Sequence, residues 1–235
     1  MDSTDINQEV SWFYEQRARK AVDNLQKKNI NAWYVPNREE ALTTIIELVP
    51  RGATIARGDS LSIDQIGVIP ELLKRGQNAV IDPFRWDADG HYMTGAAERQ
   101  QMYREAFFAD VFLTGTNALT LDGKLVNIDG LGNRVAAIVF GPKKVIVAAS
   151  ANKVAKDVDE ALKRVREFVA PLNARRHYVK HHYTEFENLP CVRTGNCADC
   201  NHDLRICRYT VIIEGAMVEE KGRINVVLVG EKLGL

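Results

Sequence analysis

Short apolar runs alternate with longer amphipathic stretches over roughly the first 170 residues, and this alternation constrains the fold more than any other feature of the chain. Residues 32–35, 53–56, 79–81, 111–113 and 145–149 are brief, rich in Val, Ile and Ala, and bounded by turn residues, the pattern of buried strands. Between them, residues 7–28, 37–48 and 96–108 read as helices. So do 133–140 and 157–169, the last expected to stop at Pro171. For the first helix, Val10, Phe13, Tyr14, Ala21 and Leu25 mark the apolar face. Further helices are expected after Ser60 and from Pro70 to Gly76, and Asp122-Gly123 reads as a hairpin turn. Strands that alternate with helices build parallel sheets covered on both sides. The expected fold is therefore α/β, a mostly parallel sheet with helices on both faces. Its parts are an N-terminal helix (1–30), an α/β core (31–171) and an extension (172–235) that returns strands 209–213 and 224–229 to the main sheet.

Composition excludes several classes. Apolar residues make up 46% of the 235, too many for a disordered chain. Lys+Arg and Asp+Glu are 31 each, so the chain carries no charge excess that would favour nucleic acid as partner. The longest apolar run, from Val135 to Phe140, falls far short of the roughly 20 residues of a membrane helix. The acidic, polar start does not resemble a signal peptide, and the cytoplasm is the expected location.

All four cysteines, Cys191, Cys197, Cys200 and Cys207, fall within 17 residues. In a reducing compartment such clustering points to a metal site before disulfides. Four thiolates suit a tetrahedral zinc ion or an iron–sulfur cluster, and the spacing does not decide between them. His177, His181, His182 and His202 share the same region and read as solvated or surface side chains rather than ligands.

A second informative stretch runs from Val126 to Arg134. Gly130 and Gly132 precede a helix start, a place where anions bind. The third glycine of a dinucleotide fingerprint is missing, because Val135 stands there, and no acidic residue ends the next strand. What remains is a polar cluster at strand ends: Asn117, Asn127, Asp129, Asn133 and Arg134. Gly58, Asp59 and Ser60 are expected at the same edge of the sheet, where α/β folds bind ligands. In this reading Arg134 or Lys124 takes the carboxylate or phosphate of a small anionic metabolite. Gly130 gives backbone contacts, and Asp129 or Asp59 performs acid/base work.

These stretches resemble the lactate-utilisation (LUD) domain family. The resemblance rests on Thr114-Gly115-Thr116-Asn117, on residues 122–130 and 132–135, and on Gly141-Pro142-Lys143-Lys144-Val145. Asn152-Lys153, Gly58-Asp59-Ser60 and the run from Thr194 through Cys207 add to it, so that it spans residues 33–235. It implies a fold related to ribose-5-phosphate isomerase and the CoA transferases. It also implies small-acid metabolism, lactate being the named candidate, with a redox partner protein if the cysteines hold an iron–sulfur cluster. Two other readings stand beside it. One is an isomerase- or transferase-like enzyme of a phosphorylated or CoA-linked metabolite with a structural zinc. The other is a non-catalytic ligand-binding subunit or sensor. Self-association is compatible with all three.

Overall fold

The computed structural model describes residues 4–235. Six strands form an all-parallel sheet: β1 (Asn31–Val35), β2 (Thr54–Arg57), β3 (Ala79–Ile81), β4 (Val111–Gly115), β7 (Lys144–Ser150) and β10 (Ile224–Val229). Their order is β1-β10-β7-β4-β2-β3. The two-residue period of β7 shows how the sheet is covered. Val145, Val147 and Ala149 point to one side, with Ala18, Ala21, Val22 and Leu25 of α1 (Asn7–Gln26) and Ala137 and Ile138 of α6 (Asn133–Phe140). Ile146 and Ala148 point to the other, against α2 (Arg38–Leu48), α3 (Leu61–Ile66) and α4 (Val68–Arg75). The expected helices on both faces are present, and α5 (Ala96–Glu105) lies where the sequence places it. Along α1 the expected face is met in part: Tyr14 packs against the core, and Ala21 and Leu25 are buried with Ala18 and Val22, whereas Val10 and Phe13 stay exposed.

Local chemistry fixes the helix starts. Asn37 Oδ1 accepts from Glu40 N at 2.8 Å and Ser60 Oγ from Ile63 N at 3.4 Å, so each side chain satisfies an amide that has no partner within its helix. The Asp122–Gly123 turn is a hairpin as expected, joining β5 (Ala118–Thr120) to β6 (Leu125–Asp129). Gly123 has φ +79°, and a Cβ there would lie 2.7 Å from the backbone of Asn24 and Leu25, so only glycine fits.

Three expectations need correction. First, β6 is not in the main sheet. It belongs to a second sheet, β8-β5-β6-β9, with β8 (Val154–Ala155) and β9 (Tyr209–Ile213), and pairs antiparallel with β5 and β9. Second, the two late strands separate. β9 edges the small sheet, whereas β10 fills the middle of the large one between β1 and β7. A continuous apolar run, Ile224 to Val229, is what a strand buried on both faces requires, and all six residues are buried. Third, Pro171 does not end the helix. After α7 (Val158–Arg164) a π-turn spans Val165–Val169, with Ala170 N donating to Val165 O, and α8 (Ala170–Lys180) continues through the proline. Pro171 falls in the first turn of α8, and the change of pitch just before it accommodates the missing N–H. Among the described residues no helix is long and apolar enough to cross a membrane.

Candidate functional site

The chain leaves the large sheet for the small one twice. It does so between β4 and β5 at Thr116-Asn117, and between β7 and β8 at Ala151–Lys153. A cavity of about 700 Å³ opens at this junction. Asp59, Ser60, Asn117, Asp129, Gly130, Asn133 and Arg134 all line it, so the two loops that the sequence singled out do converge.

Their roles differ from those expected. The Arg134 guanidinium is spent within the protein. Nη1 donates to Asn127 Oδ1 at 2.7 Å and Gly115 O at 3.2 Å, and Nη2 to Asn117 Oδ1 and Ile128 O, both at 2.9 Å. Nε stands 3.6 Å from Asp129 Oδ2. With both terminal nitrogens bonded to protein oxygens and Nε beside Asp129, the fork holds β4, β6 and α6 together instead of reaching for a substrate. Asn127 is buried behind Arg134 rather than on the cavity wall, and its Nδ2 lacks a hydrogen-bond partner. Gly58 also lies behind, with its Cβ position 3.2 Å from Arg134 Cγ and Cδ, so the absent side chain makes room for the arginine. Asp129 is a capping group: Oδ1 accepts from Leu131 N and Gly132 N, and Oδ2 from Val135 N, each at 3.2 Å. Lys124 does not line the cavity. It sits beside the hairpin turn, pairing with Glu214 at 2.7 Å and Asp122 at 3.8 Å, because β6 runs antiparallel to β5 and carries its two ends apart.

Asp59 is held by Arg176 from α8, which donates from Nη1 at 3.0 Å and Nη2 at 3.2 Å to its two oxygens; His177 Nε2 lies 3.9 Å away. Burial pushes the Asp59 pKa up, but Arg176, with His177 and Arg57, outweighs it and holds the carboxyl below its ordinary range. A carboxylate locked this way orders the wall and is a poor proton carrier near neutral pH. Burial also lowers the pKa of His177, which lines the cavity with Nδ1 unpartnered.

Lys153 is the least conventional group. Its residue is 5% exposed, yet it lines the cavity. Nζ donates to Ser62 Oγ at 3.2 Å and Thr116 O at 3.4 Å, and among the described residues it has no carboxylate partner. Burial first, then the charges of Arg164 and Arg134, bring its pKa from 10.5 down to about 7. Charge around the cavity is lopsided. Six Lys and Arg side chains line it against three Asp. Arg134, Arg176 and Arg205 have carboxylate partners, whereas Lys153, Arg99 and Arg208 have none among the described residues. Arg99 lies 3.9 Å over the Tyr92 ring, and Arg208 donates to the carbonyls of His202 and Asp203.

One wall is aromatic, formed by Phe84, Tyr92, Tyr103, Tyr183 and Phe186, with Tyr183 stacked on Phe186. Trp86, which does not line the cavity, stacks on Tyr92 and His181, with ring centroids 3.7 and 3.5 Å away. His177 and His181 are half-buried in this cluster rather than solvated. Burial brings the His181 pKa down to about 4, and only His182 of the three is exposed.

The cysteine segment supplies a further part of the wall through Asp203, Leu204, Arg205, Ile206 and Arg208. It packs on the Gly130 loop, where Arg208 N donates to Asp129 O at 2.9 Å. The four cysteines are free thiols. Burial raises the Cys191 pKa, and the nearby Cys200, Cys207 and Cys197 raise it further, so the four sulfurs share one neighbourhood. Arg205 Nε stands 3.2 Å from Cys207 Sγ. Among the described residues no three His, Cys, Asp or Glu side chains stand ready-formed as a metal-binding group.

With this geometry in view, comparison with known proteins assigns the family. The LUD domain matches residues 18–229, nearly the whole chain. The chain belongs to the LUD domain family. A solved structure of a DUF162 family protein from Deinococcus radiodurans, at 13% identity, is similar over 92% of this chain and 97% of that one, with a TM-score of 0.50; this likeness concerns the fold. The delta subunit of eIF2B from Chaetomium thermophilum is 15% identical over 54% of this chain and 50% of its own, at a TM-score of 0.34. No curated protein matches.

Sequence reasoning about this LUD-domain chain missed Lys153, Arg176, His177, Arg99 and Arg208 as cavity residues. Lys153 carried a signal, since Asn152-Lys153 is among the motifs that resemble the family. The arginines carried none: Arg99 on α5 and Arg176 on α8 look like any solvated helical cation until the tertiary fold turns them inward, and Arg208 stands in the irregular segment just before β9.

Proposed function

We propose that the cavity binds a small anionic metabolite and that this LUD-domain protein acts in small organic acid metabolism, lactate utilisation being the first candidate. The observation that carries the reading is the set of cations without carboxylate partners, Lys153, Arg99 and Arg208, around one cavity. Cations that line one cavity without carboxylate partners, one of them buried, can gain from an entering carboxylate or phosphate what the protein itself leaves unpaired. Family membership favours a small acid over other anions. A relation of the fold to ribose-5-phosphate isomerase and the CoA transferases belongs to the same reading.

The second part concerns the cysteines. Cys191, Cys197, Cys200 and Cys207 would hold an iron–sulfur cluster or a zinc ion. Four free thiols in one segment, three of them close enough to raise the Cys191 pKa, form a donor set that suits a cation. A cluster would supply electron transfer to a redox partner protein, and zinc would supply only structure. In either case the chain's own contribution is to hold the segment against the Gly130 loop, and with it one wall of the cavity.

A thermal-shift screen over lactate, pyruvate, sugar phosphates and CoA esters tests the first part. At least one should raise Tm in wild type and not in Lys153→Met; no response to any of them would reject it. Absorption spectra and metal analysis of protein purified without oxygen test the second. One zinc, or iron with acid-labile sulfide, is expected per chain.

A further inference from the structure

Lys153 is the one buried lysine among the described residues. It is buried, it faces the cavity, and its nitrogen has two hydrogen-bond acceptors, Ser62 Oγ at 3.2 Å and Thr116 O at 3.4 Å. An ammonium group carries three hydrogens and would leave one without a partner here. A neutral amine carries two, matching the two acceptors, and keeps a lone pair. No carboxylate partner stabilises the charged form among the described residues, and the cations Arg134 and Arg164 oppose it. The surroundings therefore favour the nucleophilic form of the side chain.

We propose that Lys153 is a covalent carbonyl site: its amine condenses with the carbonyl of a small 2-oxo acid or aldehyde acid bound in the cavity. The inference rests on the anion-binding reading above and narrows its substrate class. The nitrogen lone pair adds to the carbonyl carbon, forming a C–N bond, and the oxygen takes up a proton. The resulting carbinolamine then loses this oxygen as water, with both nitrogen hydrogens removed over the two steps, to leave a C=N bond. No oxidant or reductant is consumed. Protonated, the imine draws electrons from the neighbouring carbon and makes its C–H bond acidic, which prepares the acid for isomerisation or exchange at this position. The pKa of about 7 agrees with the geometry, since near neutral pH about half of the Lys153 amines are free, against roughly one in 3,000 for an ordinary lysine.

The test uses the full chain with glyoxylate, the smallest acid with an aldehyde, in the presence of cyanoborohydride at pH 7. Reduction converts the imine into a stable carboxymethyl-lysine that peptide mass mapping locates. Lys153 should be labelled at least 100-fold faster than the surface lysines, and glycolate, which has the same carboxylate but no carbonyl, should slow its labelling. Mapping is done on wild type, so the result does not depend on a variant that fails to fold; Lys153→Arg should then lose the fast label. If glycolate raises Tm but Lys153 is labelled no faster than surface lysines, the covalent role is overturned and the anion site stands. If neither acid raises Tm and Lys153 is not labelled, both readings fall.

Discussion

Replacing Lys153 with methionine removes the amine while keeping a side chain of similar length. In wild type, folding below pH 7 places an ammonium group in a buried site without a carboxylate partner. The gap between 10.5 in the unfolded chain and about 7 in the folded one corresponds to a penalty of roughly 5 kcal/mol, as an order of magnitude. The sign follows from proton counts. Between about pH 7 and 10.5 the unfolded chain keeps the proton and the folded chain has released it, so wild-type stability rises with pH across that window and is flat below it. Methionine carries no such dependence, but it leaves Ser62 Oγ and Thr116 O without their donor, which offsets on the order of 1–3 kcal/mol. Lys153→Met should therefore be more stable than wild type at pH 6 by about 2–4 kcal/mol. That is roughly 4–16 °C in Tm for a chain of this size. The advantage should shrink between pH 7 and 9.5, and the variant should lose the response to small acids. Differential scanning calorimetry of both proteins over pH 6–9.5 measures this. A variant less stable than wild type by a pH-independent amount would refute the reasoning, because Lys153 would then be a structural hydrogen-bond donor rather than a buried base.

Other perturbations separate the remaining roles. Arg134→Ala should destabilise by about 2–4 kcal/mol in denaturant titrations, since it strands the buried Asn127 oxygen and removes a donor from Asn117 Oδ1 and from two carbonyls, and Arg134→Lys should recover only part of this. Lys124→Ala should leave ligand binding unchanged and hardly move Tm, as expected of a solvent-facing ion pair that does not line the cavity. Cys200→Ser should lower the metal content measured by elemental analysis and increase proteolysis of the segment around residues 191–207, because ligation and folding are coupled.

The large sheet was legible in the sequence because each buried strand must be apolar on both faces, and the runs around Ile55, Leu113 and Val147 are too short and too apolar for anything else. The position of β10 was not. An apolar run at residues 224–229 shows that a strand is buried, not which neighbours it takes, and inserting between β1 and β7 is a long-range choice. Pro171 misled because the rule that proline ends helices assumes α-helical pitch, which the π-turn at Val165–Val169 suspends. At the site, the Asn117–Arg134 cluster was visible as polar residues at strand ends, and the structure does gather it. Its job was invisible: whether an arginine's fork reaches outward or is spent on Asn117 and Asn127 depends on distances that spacing along the chain does not encode. Lys153 showed in the sequence only as part of the Asn152-Lys153 motif; its burial did not show, since a single buried cation leaves no periodic trace.

The central claim, that unpaired cations make this cavity a site for a small anion, is tested most directly by the protons that move on binding. Calorimetric titration of wild type with lactate, pyruvate and inorganic phosphate at pH 7, in buffers of different ionisation enthalpy, counts them. An anion beside Lys153 raises its pKa, so a binding acid should take up as much as about half a proton per chain, and Lys153→Met should neither bind it as tightly nor take up the proton. Absence of saturable binding by all three, or binding without proton uptake that survives in Lys153→Met, would contradict the account.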